Sequence, residues 1–309
     1  MSPSRRRVNR LAACRKRLHR RLMILVFGVV WTGFLGTVIG FGWGLLVDGS
    51  GAWPALIAVW VGGDLYTTVP IDNALIIQSS MYESRRGPRH YAAPAFFDDY
   101  VPQYYAGTLD YRRKGDRPVV GFCGQAGNSL QFWGKWTMQH MAQQARYRTG
   151  RVPYEPAPLY PPARLRADVL RILQQDPRIA DNFILRDRYW GGAATADEKA
   201  NAREQARLDF VHNLHDSDYI VCVRGTGNYS KRLYEALSMG RIPIFVDTDC
   251  TLPYDFAVNW RDYCVWVDRR DIPRIADIVA DFHARISPDD FVALQQACRT
   301  LWQDRLSFE

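Results

Sequence analysis

The stretch that decides the fold is CVRGTGNYSKRLYEALSMGRIPIFVD, which runs from Cys222 to Asp247. It begins with an apolar run that predicts a strand, breaks at Gly225 and Gly227, and continues as a helix that ends at Gly240. RIPIFVD then predicts a second buried strand. A strand, a helix and another strand in this order indicate a βαβ unit with parallel strands.

The same alternation extends to both sides of this unit. PVVGFCG, NFILRDRYW and YCVWVD predict further strands, and ARLRADVLRILQQDP, EKANAREQARLDFVHNLHDS and IPRIADIVADFHARI predict helices. An aromatic, partly helical insertion covers residues 129–160, and a last helix runs from about residue 288 to 306. We therefore predict an α/β domain over residues 117–309, with a Rossmann-like parallel sheet and helices on both faces.

The turn after the first strand has the chemistry of an anion site. Arg224 ends the strand, and open α/β sheets bind ligands beyond the carboxyl ends of their strands. Gly225 and Gly227 allow the backbone to approach a ligand closely. Asn228 or Ser230 can cap the following helix, whose N-terminus attracts anions.

Charged residues of the helix extend this candidate site. Lys231 and Arg232 add positive charge beside the helix N-terminus, and a diphosphate fits this charge best. Glu235 can accept hydrogen bonds from two vicinal hydroxyls, as on a ribose. Alternatively, Arg232 and Glu235 form only a surface ion pair, which contributes little to stability. Helical spacing places Glu235 away from the core face, which fits solvent and a cleft equally well.

The segment DSDYIVCVRGTGNYSKRLYEALSMGRIPIFVDTDCTLPYDFAVNW resembles the exostosin family of glycosyltransferases. The matching features are the RG after the strand, S-x-R-L-Y-E-A-L-S-M-G, the IPI strand with its final aspartate, LPY and Trp260. The resemblance is specific over residues 216–279 and weaker over residues 118–190. It implies the C-terminal lobe of a GT-B enzyme, which has two Rossmann-like lobes and binds a nucleotide sugar mainly in that lobe.

The resemblance also implies roles for individual residues. Arg224 and Arg232 would bind the donor diphosphate and Glu235 the ribose, while Gly121 and Gly124 would be close-approach glycines facing the cleft. We expect a UDP-sugar as donor, a glycan as acceptor, inversion at the transferred carbon, and no cofactor. No residue is identified as the catalytic base. Lys231 departs from the family pattern, which often has a polar residue or a second arginine there.

Two acidic pairs are candidates for other chemistry. Asp247 and Asp249 match the DxD metal signature of a different glycosyltransferase fold, but two carboxylates do not by themselves form an octahedral magnesium site. We therefore assign no metal ligand. Asp98 and Asp99 could supply a general base near the cleft, or could be an exposed pair in a loop; we favour the loop pair.

The net charge of +8 arises in the N-terminal tail, residues 1–21, which holds nine of the 40 Lys and Arg residues. The remaining chain is near neutral. A nucleic-acid-binding domain needs a basic patch on its folded part, so we expect no nucleic-acid partner.

Residues 22–47 contain no charged side chain and are long enough to cross a hydrocarbon core of ~30 Å. We predict an uncleaved transmembrane anchor with a cytoplasmic N-terminus, rather than a signal peptide or a buried helix. Gly36, Gly40 and Gly44 either form a small-residue ridge that pairs helices into a homo- or hetero-oligomer, or reflect ordinary membrane-helix composition. With a single span, the domain lies on the luminal side, as in Golgi enzymes of this family.

Residues 48–116 remain for an N-terminal lobe, less than half of a normal Rossmann lobe. Residues 56–61 predict a strand or a re-entrant hairpin, DNALIIQSS predicts a strand, and YRRKGDR predicts a polar linker. The acceptor side is therefore expected to be truncated or supplied by another chain. Our second hypothesis is a non-catalytic membrane-bound partner that keeps only the donor lobe. Packing of residues 48–116 against the Arg224 turn would favour the enzyme.

Overall fold

The computed structural model describes residues 39–42, 57–61, 74–126, 130–151, 162–186 and 196–307. Its strands are β1 Ile39–Gly42, β2 Ile57–Val61, β3 Ala74–Gln78, β4 His90–Ala92, β5 Val119–Gln125, β6 Ala180–Arg186, β7 Tyr219–Cys222, β8 Ile242–Asp247 and β9 Val265–Asp268. Its α-helices are α1 Tyr100–Tyr104, α2 Leu130–Arg148, α3 Pro162–Gln175, α4 Ala196–His215, α5 Lys231–Ser238, α6 Ile275–Arg285 and α7 Pro288–Leu301. Shorter helical turns cover Glu83–Arg85, Trp260–Asp262, Arg269–Arg274 and Trp302–Leu306.

The larger sheet has the strand order β6-β5-β7-β8-β9, and every neighbouring pair in it is parallel. After β5 the chain moves outward to β6 and then returns to the other side of β5 as β7. The strand order therefore reverses between β5 and β7, and such a switch point opens a crevice at the carboxyl ends of the two strands. The predicted parallel α/β sheet is confirmed.

Helices cover both faces of this sheet, because alternate residues of each strand point to opposite sides. In β7, Val221 packs into a core with Leu165 and Val169 of α3, whereas Cys222 packs into a second core with Leu237 of α5. All five side chains are almost completely buried.

Helix α5 ends where the sequence predicts. Gly240 has a φ of +58°, a left-handed conformation that favours glycine after a helix. A Cβ at this position would lie 3.0 Å from the Tyr111 ring and 3.1 Å from Leu109. The chain before β5 therefore passes close to the end of α5.

The predicted linker at YRRKGDR is instead fixed to the domain. The Arg112 amide donates to Gln295 Oε1 over 3.0 Å, and its guanidinium donates to Asp218 over 2.6 Å. The fully buried Arg241 donates to the carbonyl of Asp110 over 3.1 Å. The predicted linker is thus held to the domain, in part through the Asp218 carboxylate, whose side chain is only 2% exposed, and the domain boundary stays a prediction.

The smaller sheet has the order β1-β2-β3-β4, with β1 antiparallel to β2 and the other pairs parallel. Strands β2 and β3 confirm the strand predictions for these segments. Ile39–Gly42 lies within the predicted transmembrane helix at 22–47 but forms a strand, and an apolar run alone does not separate the two structures. The rest of that segment and the basic tail lie outside the described residues. Within the described ranges, no helix has the length and apolarity that a membrane crossing needs.

Candidate functional site

A cleft of about 470 Å³ opens at the switch point, at the carboxyl ends of β5 and β7. One wall is the end of β5, including Gly124. The other is the loop after β7, including Gly225 and Gly227, together with the first residues of α5. The structure thus brings the central glycines of the predicted site to one place.

Positive charge dominates the described lining of this cleft. Only one carboxylate, that of Glu235, faces five basic side chains there: Arg166, Arg186, Arg207, Lys231 and Arg232. Such a concentration of one charge in a concave site attracts anions. Sequence reasoning missed the first three arginines, which come from α3, β6 and α4. Arg186 is the last residue of β6 and directly follows the apolar run of the predicted strand NFILRDRYW, and that position was the available signal.

Arg232 lies at the base of the cleft. Its guanidinium donates to the carbonyl of Cys123 over 2.6 Å and lies 4.2 Å from the centroid of the Phe122 ring. Its Nε is buried and has no hydrogen-bond partner among the described residues. A Cβ at Gly124 would come within 2.8 Å of this guanidinium, so the glycine makes room for it.

The Glu235 carboxylate faces the cleft but is only 7% exposed. The hydroxyl of Tyr100 donates to its Oε1 over 3.1 Å, and the Lys231 Nζ lies 3.6 Å from the same oxygen. The alternative of a surface ion pair between Arg232 and Glu235 is therefore not what the structure shows.

The N-terminus of α5 is open toward the cleft. Ser230 is the N-cap residue, but its side chain makes no capping hydrogen bond. The loop before it is closed instead by the Gly225 amide, which donates to the Tyr229 carbonyl over 3.1 Å. The Leu233 amide donates to the Ser230 carbonyl over 3.1 Å, so the amides that precede it in the first turn of α5 remain for an anion, as at other helix N-termini.

Arg224 and Asn228 do not line the cleft. The Arg224 guanidinium lies 5.5 Å from the centroid of the Tyr82 ring and donates to the Thr226 carbonyl over 3.2 Å. Asn228 is fully buried, and its side-chain amide nitrogen donates to the carbonyls of Met81 and Asp249 over 3.0 and 2.8 Å. Both polar groups hold the loop to neighbouring segments, and the structure does not bring them into the cleft with the other predicted donor residues.

Gly121 is another predicted site residue that does not line the cleft. It lies within β5, where a Cβ would come within 2.2 Å of Ser217 Oγ. The close approach is therefore between two segments of the protein. The Ser217 hydroxyl itself donates to the Asn213 carbonyl over 2.7 Å, which fixes its position beside the glycine.

Three members of the two acidic pairs, Asp247, Asp249 and Asp99, are engaged by the protein, whereas Asp98 is exposed. Asp247 accepts a hydrogen bond from the Cys250 amide over 3.1 Å, and burial raises the pKa of its carboxyl group. Asp249 accepts from the Ser84 amide over 3.0 Å. Asp99 is not in an exposed pair, since it accepts from the Val101 amide at the start of α1 and is only 10% exposed.

This geometry is typical of α/β domains that bind phosphate-bearing ligands at a switch point. Residues 174–282 match the family model of the Exostosin GT47 domain. The resemblance to exostosin glycosyltransferases predicted from the sequence is therefore confirmed over this segment, which contains β6, β7, β8 and helix α5.

Similar proteins come from animals and plants. Exostosin-1 of Drosophila melanogaster is 31% identical over 101 residues, which cover 33% of this chain and 13% of that protein. A probable glucuronosyltransferase of Oryza sativa subsp. japonica is 31% identical over 87 residues, covering 28% and 19%. A probable β-1,4-xylosyltransferase of Arabidopsis thaliana is 31% identical over 70 residues, covering 23% and 17%. The chain thus matches less than a fifth of each relative's length.

A solved structure, the GtfA/B complex bound to UDP and GlcNAc, aligns with 81% of this chain and 48% of its own chain at 11% identity. The TM-score is 0.27, so no conclusion about this protein is drawn from the likeness.

Proposed function

We propose that this protein is a glycosyltransferase that binds a nucleoside-diphosphate sugar in the cleft and transfers the sugar to a glycan acceptor. The observation that carries the proposal is the cationic cleft at the β5–β7 switch point. The match of the surrounding segment to the Exostosin GT47 domain supports the same activity.

Several residues that line the cleft can contribute to donor binding. The unpartnered Nε of Arg232 and the amides at the start of α5 suit the diphosphate, and Arg186 and Arg166 add charge nearby. In the transition state these groups would stabilise the charge that develops on the departing diphosphate. Glu235 would accept from ribose hydroxyls. We take a UDP-sugar as the donor and inversion as the stereochemical outcome, and this mechanism uses no further cofactor.

The packing of the N-terminal region favours an enzyme over a non-catalytic partner. The backbone amide of Asn228 donates to Ser80 Oγ over 2.8 Å, and the Tyr82 ring lies beside the Arg224 guanidinium. The described part of residues 48–116 thus packs against the turn that follows β7. The partner hypothesis would gain support if the protein bound the donor but transferred no sugar to any glycan.

We also propose that the uncharged part of residues 22–47 that precedes β1 anchors the protein in a membrane, with the tail cytoplasmic and the domain luminal. The uncharged run and the basic tail support this arrangement. A glycosylation acceptor site added after Glu309 should be modified in membranes of eukaryotic cells. Cleavage of the domain by protease added outside sealed vesicles would contradict it.

Titration of the full chain with UDP tests the proposed donor site. Arg232→Ala should weaken UDP binding by about 1.5–3 kcal/mol, the range for hydrogen bonds to charged groups. Arg270→Ala is a matched control, because its side chain is 85% exposed and lies outside the cleft lining. Absence of UDP binding to the unmodified protein, or equal affinities of the two variants, would remove the assignment.

A further inference from the structure

Tyr100 reaches the cleft from a segment outside the parallel-sheet domain. It is the first residue of α1, it lines the cleft, and it is 4% exposed. Its hydroxyl donates to Glu235 Oε1 over 3.1 Å, across 135 residues of sequence. The contact therefore couples the N-terminal region to the carboxylate in the cleft.

Aromatic neighbours hold the Tyr100 ring in this position. Its centroid lies 5.3 Å from that of Phe97, 6.1 Å from that of Tyr104 and 6.3 Å from that of Phe210. Burial and then the nearby Glu235 carboxylate raise the pKa of the Tyr100 hydroxyl well above its ordinary value. The hydroxyl is thus protonated at neutral pH and acts as the donor.

One arginine fixes both helices that carry this pair. Arg299 of α7 donates to the two oxygens of Asp99 over 2.9 and 2.5 Å, and Asp99 is the N-cap residue of α1. The same guanidinium donates to the carbonyl of Ser238, the last residue of α5. Because Arg299 is only 7% exposed, this three-way contact holds α1 and α5 in a defined arrangement.

The contacts divide the two oxygens of the Glu235 carboxylate between the protein and the cleft. Tyr100 and Lys231 both engage Oε1. Within the described ranges, no hydrogen bond or ion pair involves Oε2. One oxygen is therefore fixed, and the other is left for a ligand.

We infer that Tyr100 is a positioning residue, which orients Glu235 so that Oε2 accepts a hydrogen bond from a ribose hydroxyl of the donor. The inference rests on the proposed function. A site built around such a bond rejects a nucleotide that lacks the hydroxyl, because the carboxylate then loses its ligand partner. The cleft should therefore prefer UDP to 2′,3′-dideoxy-UDP, and this preference should depend on Tyr100.

The test measures binding of UDP, 2′,3′-dideoxy-UDP and inorganic pyrophosphate to the full chain. Tyr100→Phe should weaken UDP binding about tenfold and leave the other two affinities unchanged. Glu235→Gln, which keeps the size of the side chain, should also reduce the preference for UDP. Tyr104→Phe is the matched control, since Tyr104 lies on the same helix and its ring packs against that of Tyr100.

The outcomes separate this inference from the proposed function. If UDP and pyrophosphate bind but Tyr100→Phe leaves the preference for UDP unchanged, the positioning role is refuted and the donor site stands. Equal weakening of all three ligands would show a purely structural tyrosine and would also refute it. If the unmodified protein binds none of the ligands, both proposals fail.

Discussion

At the scale of single residues, β5 carries two glycines with different surroundings. Gly121 faces Ser217 inside the protein, and Gly124 faces the Arg232 guanidinium in the cleft. The two residues are chemically identical, so only their neighbours in the fold show that Gly121 serves packing and that Gly124 lines the cleft. A similar distinction separates Arg232 from Arg224, which uses its charge to hold a loop.

Gly121→Ala should destabilise the protein by about 1–3 kcal/mol, because the new methyl group would overlap Ser217. Gly225→Ala is the matched control, since a Cβ there meets no described atom within 4 Å. Urea unfolding of the two variants measures the difference. Equal stabilities would mean that the strand moves to accept the methyl group without cost.

Asp247 should make stability depend on pH. Burial raises its pKa in the folded protein, so its favourable contribution is complete below the unfolded pKa and is lost as pH rises through the folded pKa. Asp247→Asn keeps an acceptor for the Cys250 amide but does not titrate. The variant should therefore gain stability relative to the unmodified protein as the pH rises above about 4, the ordinary pKa of an aspartate. Denaturant unfolding at several pH values checks this, and the opposite trend would contradict it.

At the scale of elements, the loop between β7 and α5 is fixed by contacts to segments far away in sequence. Besides the two bonds that its side chain donates, Asn228 accepts a hydrogen bond from the Thr248 hydroxyl over 2.7 Å. These contacts join the loop to the turn after β8 and to residues 80–81. The loop therefore presents its glycines to the cleft from a supported position.

Asn228→Ala should lower the free energy of unfolding by about 2–3 kcal/mol, because buried polar groups would lose their partners. Asn259→Ala removes one exposed hydrogen bond, to Asp262, and should change stability by less than about 0.5 kcal/mol. Chemical denaturation distinguishes them. A small effect at Asn228, together with a loss of UDP affinity, would restore the donor contact predicted from the sequence.

The helices and strands of the parallel sheet were predictable because their patterns are local. Leu165, Val169 and Leu173 recur at helical spacing and are all buried in α3. From local chemistry the site was predictable around α5, where glycines and charges are adjacent in sequence, and Gly124 was predicted from the family resemblance. Tyr100 and Arg186 reach the cleft through tertiary packing. No local sequence pattern predicts that these two distant residues line the same cleft. A polar side chain in the loop after a strand, such as Asn228, looks the same in the sequence whether it binds a ligand or a neighbouring segment of the protein.

At the scale of the whole molecule, the region before β5 completes the parallel-sheet domain. Tyr100 and Val101 of α1 are buried in the core that also contains Leu237 of α5. Asp99 is the partner of the buried Arg299 guanidinium. A domain boundary at residue 117 would therefore separate groups that pack together.

A fragment of residues 111–309 should be less stable than a fragment of residues 74–309 by at least about 3 kcal/mol. It would leave the Arg299 charge without its carboxylate in a largely buried position, a loss of about 3–5 kcal/mol where one member of a buried pair is removed. Parallel thermal and urea unfolding of both fragments measures this difference. Equal stabilities would show that α1 is dispensable for the fold.

The pair formed by Asp99 and Arg299 spans 200 residues, and this separation bears on how the protein is made. At a synthesis rate of about 5–20 residues per second, Asp99 is added to the chain at least ~10 s before Arg299. Until α7 emerges, the clamp on α1 and α5 cannot form, and Tyr100 has no fixed place beside Glu235. A nascent chain that stops before Arg299 would carry the glycine loop and the cleft arginines but not the assembled clamp. Translation must therefore pass Arg299 before the cleft can take its final form.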